Sequence, residues 1–385
     1  MNFAYPPEAE RFRVEFRAWL AANLDPDVVG TTLGDWEEPA TLERMRAWNR
    51  KLADAGYAAL AWPEEYGGRG AGVMEQVVLA EEMHRAGAPG TLNPIGISNI
   101  APAVMQHGTE QQKRRFLPPM LRGDEIWCQG FSEPDAGSDL ASLSTRAVLD
   151  GDDFVVDGQK VWNTLGNLAD WCQLLVRTDP DVPKHQGISC LLVDMRLPGV
   201  EVRPLVTITG DREFNEIFFT DVRVPRRALL GPLNEGWRVA MTTLTYERGG
   251  VASLHLGVRK KIGELLDLAR ETEIDGHPAS EDAVLRQSLA RLYLEGEYLK
   301  LLSDRAVSGA LHGREAGPET SLAKLVWSEC ESHIAEVAGQ LLGPAANTGR
   351  WGRERVYVRA LSIAGGTTQV NKNVLAQRIL GLPRG

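Results

Sequence analysis

The chain has 385 residues, 43% of them hydrophobic and 24% charged, the balance of a soluble globular protein with two or three packed subdomains. Its formal net charge of −10 argues against nucleic-acid binding, which needs a basic surface to meet phosphates. No apolar run reaches membrane-spanning length, so no membrane association is expected.

The N-terminal segment, Met1 to Glu10, is polar and carries no signal-peptide core, so a cytoplasmic location is expected. Residues 1 to about 120 read as helical. Ala9 to Leu24 spaces Phe12, Val14, Phe16, Trp19 and Leu20 close to a helical period, and Leu42 to Ala55 repeats the pattern. Leu60 to Gly70 is a turn-rich loop, and Val73 to Arg85 reads as a buried helix. Thr109 is a plausible N-cap for the charged helix Thr109 to Leu117.

From about Gly123 the period shortens. Strand-like runs occupy Arg146–Leu149, Asp153–Val156, Cys172–Arg177, Ile188–Asp194, Val200–Val206 and Glu216–Val224. Asp150-Gly151 and Asp157-Gly158 read as turns between them, so a small antiparallel β domain is expected. Beyond Gly236 helical periodicity returns. Glu271 to Ser280 reads as a loop between long helices, and Asn347-Thr348-Gly349 and Gly365-Gly366 interrupt the last bundle. The expected division is 1–122 helical, 123–232 β and 233–385 helical, an α+β chain. The four cysteines show no C-x-x-C and the seven histidines no H-x-x-x-H, so neither a disulfide framework nor a metal site is expected.

One stretch concentrates chemistry: Gln129 to Leu140, reading Gln-Gly-Phe-Ser-Glu-Pro-Asp-Ala-Gly-Ser-Asp-Leu. Pro134 biases Glu133 toward extended backbone, and Asp135 and Gly137 favour a turn, with Gly137 tolerating positive φ. A loop of this kind offers backbone N–H groups and hydroxyls to a ligand.

Across essentially the whole chain, an ordered set of segments resembles the acyl-CoA dehydrogenase family. Phe131 to Asp139 is similar to its first signature, and Lys160-Val161-Trp162-Asn163-Thr164 to its flavin-facing strand. Leu60 to Gly68, Asp221 to Pro225 and Gly366-Thr367-Thr368-Gln369 match further segments in order. The resemblance implies an N-terminal helical domain, a middle antiparallel β domain and a C-terminal four-helix bundle, with FAD against the β domain. It implies flavin contacts at Gln129, Phe131, Ser132, Gly137, Ser138, Trp162, Thr164, Gln340, Gly343, Thr367 and Gln369. Ser138 would also touch the CoA portion of the substrate. Preorganised donors are needed there because hydride arrival leaves negative charge on the ring.

The resemblance also exposes two departures. Many members carry the α-proton base just before the Gly-Thr-x-Gln segment, where this chain has Gly365. Some members instead place the base in a Glu-Arg pair on the first long helix of the bundle, and here Glu247-Arg248 occupies that position. Glu247 is therefore the expected base, buried against flavin and acyl chain. Arg248, Gly365 and Gly366 are expected to line the substrate, with the Gly365 N–H on the thioester oxygen. Second, the Arg-x-x-Phe-Gly stretch that completes a neighbour's FAD site is missing from Ala269 to Ser280, and Pro344 replaces the second glycine of the Gln-x-x-Gly-Gly stretch begun by Gln340. That pattern resembles actinobacterial heterotetrameric acyl-CoA dehydrogenases of steroid side chains. The expected function is formation of a trans-2-enoyl-CoA from an acyl-CoA, with electrons passed to an electron-transfer flavoprotein. The expected assembly is a homo- or heterotetramer, the latter with a sister subunit. The rival readings are a flavin oxidase or N-oxygenase on the same scaffold, and a subunit active only with its sister chain.

Overall fold

The computed structural model describes residues 4–247, 253–314 and 317–383. Contacts divide the chain after Glu247 into two units. The first opens with helices α1 (Pro7–Asn23), α2 (Pro39–Asp54), α3 (Val73–Ala86), α4 (Ala101–His107) and α5 (Glu110–Arg122). On α1 the stripe Ala9, Phe12, Phe16 and Leu20 is buried, the helical spacing visible in the sequence. Thr109 caps α5 in a reciprocal box: Gln112 N–H donates to the threonine hydroxyl at 3.2 Å, and Thr109 N–H donates to Gln112 Oε1 at 2.9 Å.

The expectation of a buried α3 is corrected, since only Val78 and Glu82 are fully buried on it. Arg17, Arg85 and Arg13 surround the Glu82 carboxylate and hold its pKa at about 2, against the upward push of burial. A π-helical turn, Ile95–Ile100, leads into α4 and was not foreseen.

A seven-stranded sheet follows: β1 (Trp127–Gly130), β2 (Arg146–Asp150), β3 (Asp153–Lys160), β4 (Trp171–Arg177), β5 (Ile188–Asp194), β6 (Val200–Leu205) and β7 (Phe214–Pro225). The order is β1-β4-β2-β3-β7-β6, with β5 also paired to β4. The domain is not wholly antiparallel. β1 runs parallel to β4, as does β2 where Arg146 meets Arg177. The reason is connectivity: the chain leaves β1 and reaches β4 only after the β2–β3 hairpin, a crossover long enough for parallel pairing.

Gly151 turns that hairpin with φ 63°. Gly158, by contrast, is no turn. It sits inside β3 at a register shift, and a Cβ there would lie 2.6 Å from Thr145 Cα. Strand β4 is buried on both faces: Trp171 and Leu175 pack with the N-terminal helices, while Cys172, Leu174 and Val176 pack with the opposite side of the sheet.

Helix α6 (Gly236–Glu247) packs on α4, the π-helical turn and β5, all parts of the first unit. It can start there because residue 236 has no side chain: a Cβ would stand 2.3 Å from the Ser189 carbonyl carbon and 2.7 Å from Cys190 N. Gly236→Ala should therefore destabilise the chain by about 1–3 kcal/mol, as overpacking against backbone does, read as a lower midpoint in urea unfolding. An unchanged midpoint would mean that α6 shifts freely on β5.

The second unit is a helical bundle of α7 (Leu254–Glu271), α8 (Ala283–Leu311), α9 (Thr320–Leu342), α10 (Gly349–Leu361) and α11 (Thr368–Arg378). α9 packs against α7, α8, α10 and α11. Where the sequence suggested a plain loop, β8 (Glu273–Ile274) and β9 (His277–Pro278) form a short hairpin. Its two turn residues, Asp275 and Gly276, have φ of 52° and 82°, as a two-residue hairpin requires.

Candidate active site

The Gln129–Leu140 stretch leaves the end of β1 and is clipped in place by the end of β3. Val161 N–H donates to Ser132 O at 2.9 Å, and Asn163 Nδ2 donates to Gln129 O at 2.6 Å. A buried ion pair secures the same join. Lys160 Nζ lies 2.8 Å from Glu133 Oε1 and donates to Phe131 O at 3.1 Å, with both side chains almost fully excluded from solvent. Glu133 also accepts from Ser144 N–H at 2.7 Å, Ser144 Oγ at 2.8 Å and Thr145 N–H at 2.9 Å.

Burial pushes the Glu133 pKa up, but Lys160 and these donors outweigh it and hold it at about 2. Burial pulls Lys160 below the usual lysine range, against the upward pull of Glu133. Between Glu133 and Ala136 the chain reverses tightly, each N–H bonded to the other's carbonyl at 3.0 and 3.1 Å. Gly137 lies just beyond, exposed, and does not use the positive φ that a glycine tolerates. Ser138 is exposed beside it.

The second signature is a strand only at its first residue. β3 ends at Lys160, and Trp162 takes a left-handed conformation, φ 63°, unusual for a bulky side chain. Asn215 holds this turn, its Nδ2 donating to Asn163 O at 3.0 Å and its carbonyl accepting from Asn163 N–H at 3.1 Å. The Trp162 indole is 61% exposed and meets Phe214 edge-on at 5.9 Å. Among the described residues, neither the Ser132 nor the Thr164 hydroxyl bonds to a protein group. The Val161–Ser132 and Asn163–Gln129 bonds set the Gln129–Ser132 segment beside the Trp162–Thr164 segment, with the Trp162 indole exposed, Phe131 buried and the Ser132 and Thr164 hydroxyls unspent. Such a surface suits a planar, hydrogen-bonding ring.

Glu247 is the last residue of α6, exposed on the first unit rather than buried by it. Arg248 lies outside the described residues. In the second unit, Gln340 is exposed near the end of α9, and Gly343 follows it with φ 54°. Gly365 and Gly366, with φ of 63° and 90°, make the turn from α10 to α11. Thr367 caps α11, its Oγ1 accepting from Val370 N–H at 3.2 Å, and Gln369 is exposed in the first turn.

Lys324 holds this glycine turn. Its Nζ donates to Leu361 O at 2.7 Å and Gly366 O at 3.0 Å. Sequence reading missed Glu133, Lys160, Asn163, Asn215 and Lys324 as site supports, because each acts through a partner distant in sequence. A surface cleft of about 680 Å³ lined by Glu64, Tyr66, Lys113, Arg114 and Leu121 contains none of the expected site residues. Among the described residues no helix is long and apolar enough to cross a membrane.

Comparison with known proteins gives the class. The acyl-CoA dehydrogenase N-terminal, middle and C-terminal domain families match residues 6–124, 128–222 and 234–380. The chain belongs to the acyl-CoA dehydrogenase family, whose members are FAD-dependent oxidoreductases. It is 40% identical to acyl-CoA dehydrogenase IpdE1 of Mycobacterium tuberculosis, over 98% of both chains. It is also similar to the solved Tcur3481-Tcur3483 steroid ACAD, with TM-score 0.86 and 32% identity over 100% of both chains. The ChsE4-ChsE5 complex from Mycobacterium tuberculosis matches with TM-score 0.85 and 32% identity over 100% of both chains.

Proposed function

We propose that this chain catalyses α,β-dehydrogenation of an acyl-CoA thioester, with Glu247 as the α-proton base. The supporting observation is the pairing of a carboxylate at the end of α6 with a glycine, Gly365, where many family members carry their base. Bound FAD supplies the acceptor for the β-hydride. The chain's own part is to bind, orient and deprotonate. Glu247 takes the proton from the α carbon while the β C–H bond breaks, leaving the trans double bond. The Gly365 N–H donates to the thioester oxygen, where negative charge develops, with Gly366, Arg248 and Ser138 lining the acyl and CoA portions.

The Trp162 indole would cover a face of the bound flavin, and the Thr164 and Ser132 hydroxyls would donate to it. Gln129, Phe131, Gly137 and Ser138 would complete that wall, and on the second unit Gln340, Gly343, Thr367 and Gln369 would be flavin contacts. Glycine at 365 leaves room for a bulky or branched acyl group, which agrees with the steroid ACAD among the similar structures. An electron-transfer flavoprotein would take up the electrons that bound FAD accepts.

We further propose a tetramer with a sister subunit. The residues that would complete a neighbour's flavin site are replaced by the 273–278 hairpin and by Pro344. Leu294, Tyr298 and Leu301 give α8 an exposed apolar stripe for packing against another chain. Expressing the chain alone and measuring flavin absorbance and mass tests this assembly. The expected result is substoichiometric FAD, restored by a sister chain. One FAD per chain in a homotetramer would refute the sister subunit and leave the dehydrogenase intact. Oxygen consumption without an acceptor, indifferent to CoA esters, would instead establish the oxidase reading.

A further inference from the structure

A buried polar pair crosses the apolar interface between the sheet and α6. Gln173, on β4, donates from Nε2 to Thr243 Oγ1 at 3.0 Å, and Thr243 Oγ1 lies 3.2 Å from Gln173 Oε1. Both side chains are fully buried. Their surroundings are apolar: Trp171 and Leu175 flank Gln173 on the helix-facing side of β4, and Val239 and Ala240 precede Thr243 on α6. Thr243 Oγ1 also lies 3.3 Å from Val239 O in its own helix, so the group that depends on this register is the buried Gln173 amide, whose Nε2 donates to Thr243.

That register fixes the rotation of α6. The buried stripe of the helix runs Gly236, Val239, Ala240 and Thr243. Glu247 is the next position on the stripe, four residues on and so about 6 Å further along the axis on the same face. Rotation by one residue would carry Thr243 off Gln173 and swing Glu247 through about 100°. A second bond restrains the neighbouring face, His107 Nε2 lying 2.8 Å from Thr242 Oγ1.

The pair also connects to the opening stretch. Gln173 is the direct register partner of Gln129 across the parallel β1–β4 ladder, so the two side chains share a face of the sheet. Asn99 Nδ2, from the π-helical turn packed on α6, stands 3.5 Å from Gln129 Oε1. Gln129 and Gln173 thus lie as register neighbours on the sheet face that meets the helix carrying Glu247.

We infer that Gln173 and Thr243 are positioning residues: their hydrogen bond sets the rotation of α6 and thereby aims the Glu247 carboxylate at the substrate α carbon. The inference rests on Glu247 as the base. It differs from a purely structural role in what it predicts for the proton-transfer step.

The test uses full-length enzyme carrying FAD and any partner subunit it requires. Thr243→Val keeps the side-chain shape and removes the hydroxyl. Turnover should fall about 10- to 100-fold, the scale of a misaimed catalytic group, with KM for the acyl-CoA little changed. The isotope effect on turnover with α-deuterated acyl-CoA should grow, because proton abstraction becomes more rate-limiting. Thr243→Ser should restore most of the turnover. If Thr243→Val folds poorly, the double variant Gln173→Met/Thr243→Val leaves no unsatisfied polar group, and it should melt near the parent yet remain slow. Parental turnover and isotope effect in a folded variant, alongside an inactive Glu247→Gln enzyme, would overturn the positioning role while keeping the base. A fully active Glu247→Gln enzyme removes the base itself, and that failure is read without reference to Thr243.

Discussion

Glu247→Gln is expected to lower enoyl-CoA formation by about a thousandfold while flavin stays bound, the scale on which a general base contributes. The amide has nearly the shape of the carboxylate but cannot accept the α proton. No side chain at Gly365 can take over. Flavin retention follows because Glu247 ends α6, whereas the β-domain wall is built from Gln129–Ser132 and Trp162–Thr164. The measurement is single-turnover bleaching of the flavin absorbance by acyl-CoA under anaerobic conditions. A thousandfold loss corresponds to about 4 kcal/mol of transition-state stabilisation. Bleaching at the parental rate would remove Glu247 from the mechanism.

The second large effect is on stability. Glu133→Gln leaves the Lys160 ammonium buried beside a neutral partner, and breaking a buried pair in this way costs about 3–5 kcal/mol. Unfolding in urea measures it. Flavin content should fall in parallel, because Lys160 and Glu133 tie the end of β3 to the Phe131–Glu133 backbone. The double change Glu133→Met/Lys160→Met should recover much of the loss, since no uncompensated charge remains. A single variant as stable as the parent would show that the pair does not hold the loop.

The same pair sets an acid limit. Glu133 titrates at about 2 in the fold against an ordinary 4.5. A depressed carboxyl contributes stability that is complete above its unfolded pKa and is lost as pH falls through the folded one. Glu133 therefore contributes fully above about pH 5, and its contribution disappears between about 4.5 and 2. In Glu133→Gln that component of the acid unfolding profile should be missing.

The local elements were legible in the sequence. The stripe Phe12, Phe16 and Leu20, the Thr109 cap and the runs that became β4 and β5 each follow from spacing within a few residues. Strand β1 escaped notice because it is only four residues long, Trp127–Gly130, and pairs in parallel with a strand more than forty residues later. Gly158 looked like a turn because Asp-Gly is the usual hairpin signal, yet Thr145 approaches its backbone and turns it into a bulge.

The sequence by itself determined the family, and it carries the residue identities on which the proposed site rests, a glutamate at 247 and a glycine at 365. Those are matters of residue identity in order along the chain. The tertiary structure alone decided how the Gln129–Leu140 loop is held and which face α6 buries. The left-handed Trp162, the Glu133–Lys160 pair and the Gln173–Thr243 bond depend on partners brought together by folding, the last two 27 and 70 residues apart. Burial makes such polar contacts decisive, because an amide or ammonium withdrawn from water tolerates only the geometry that satisfies it.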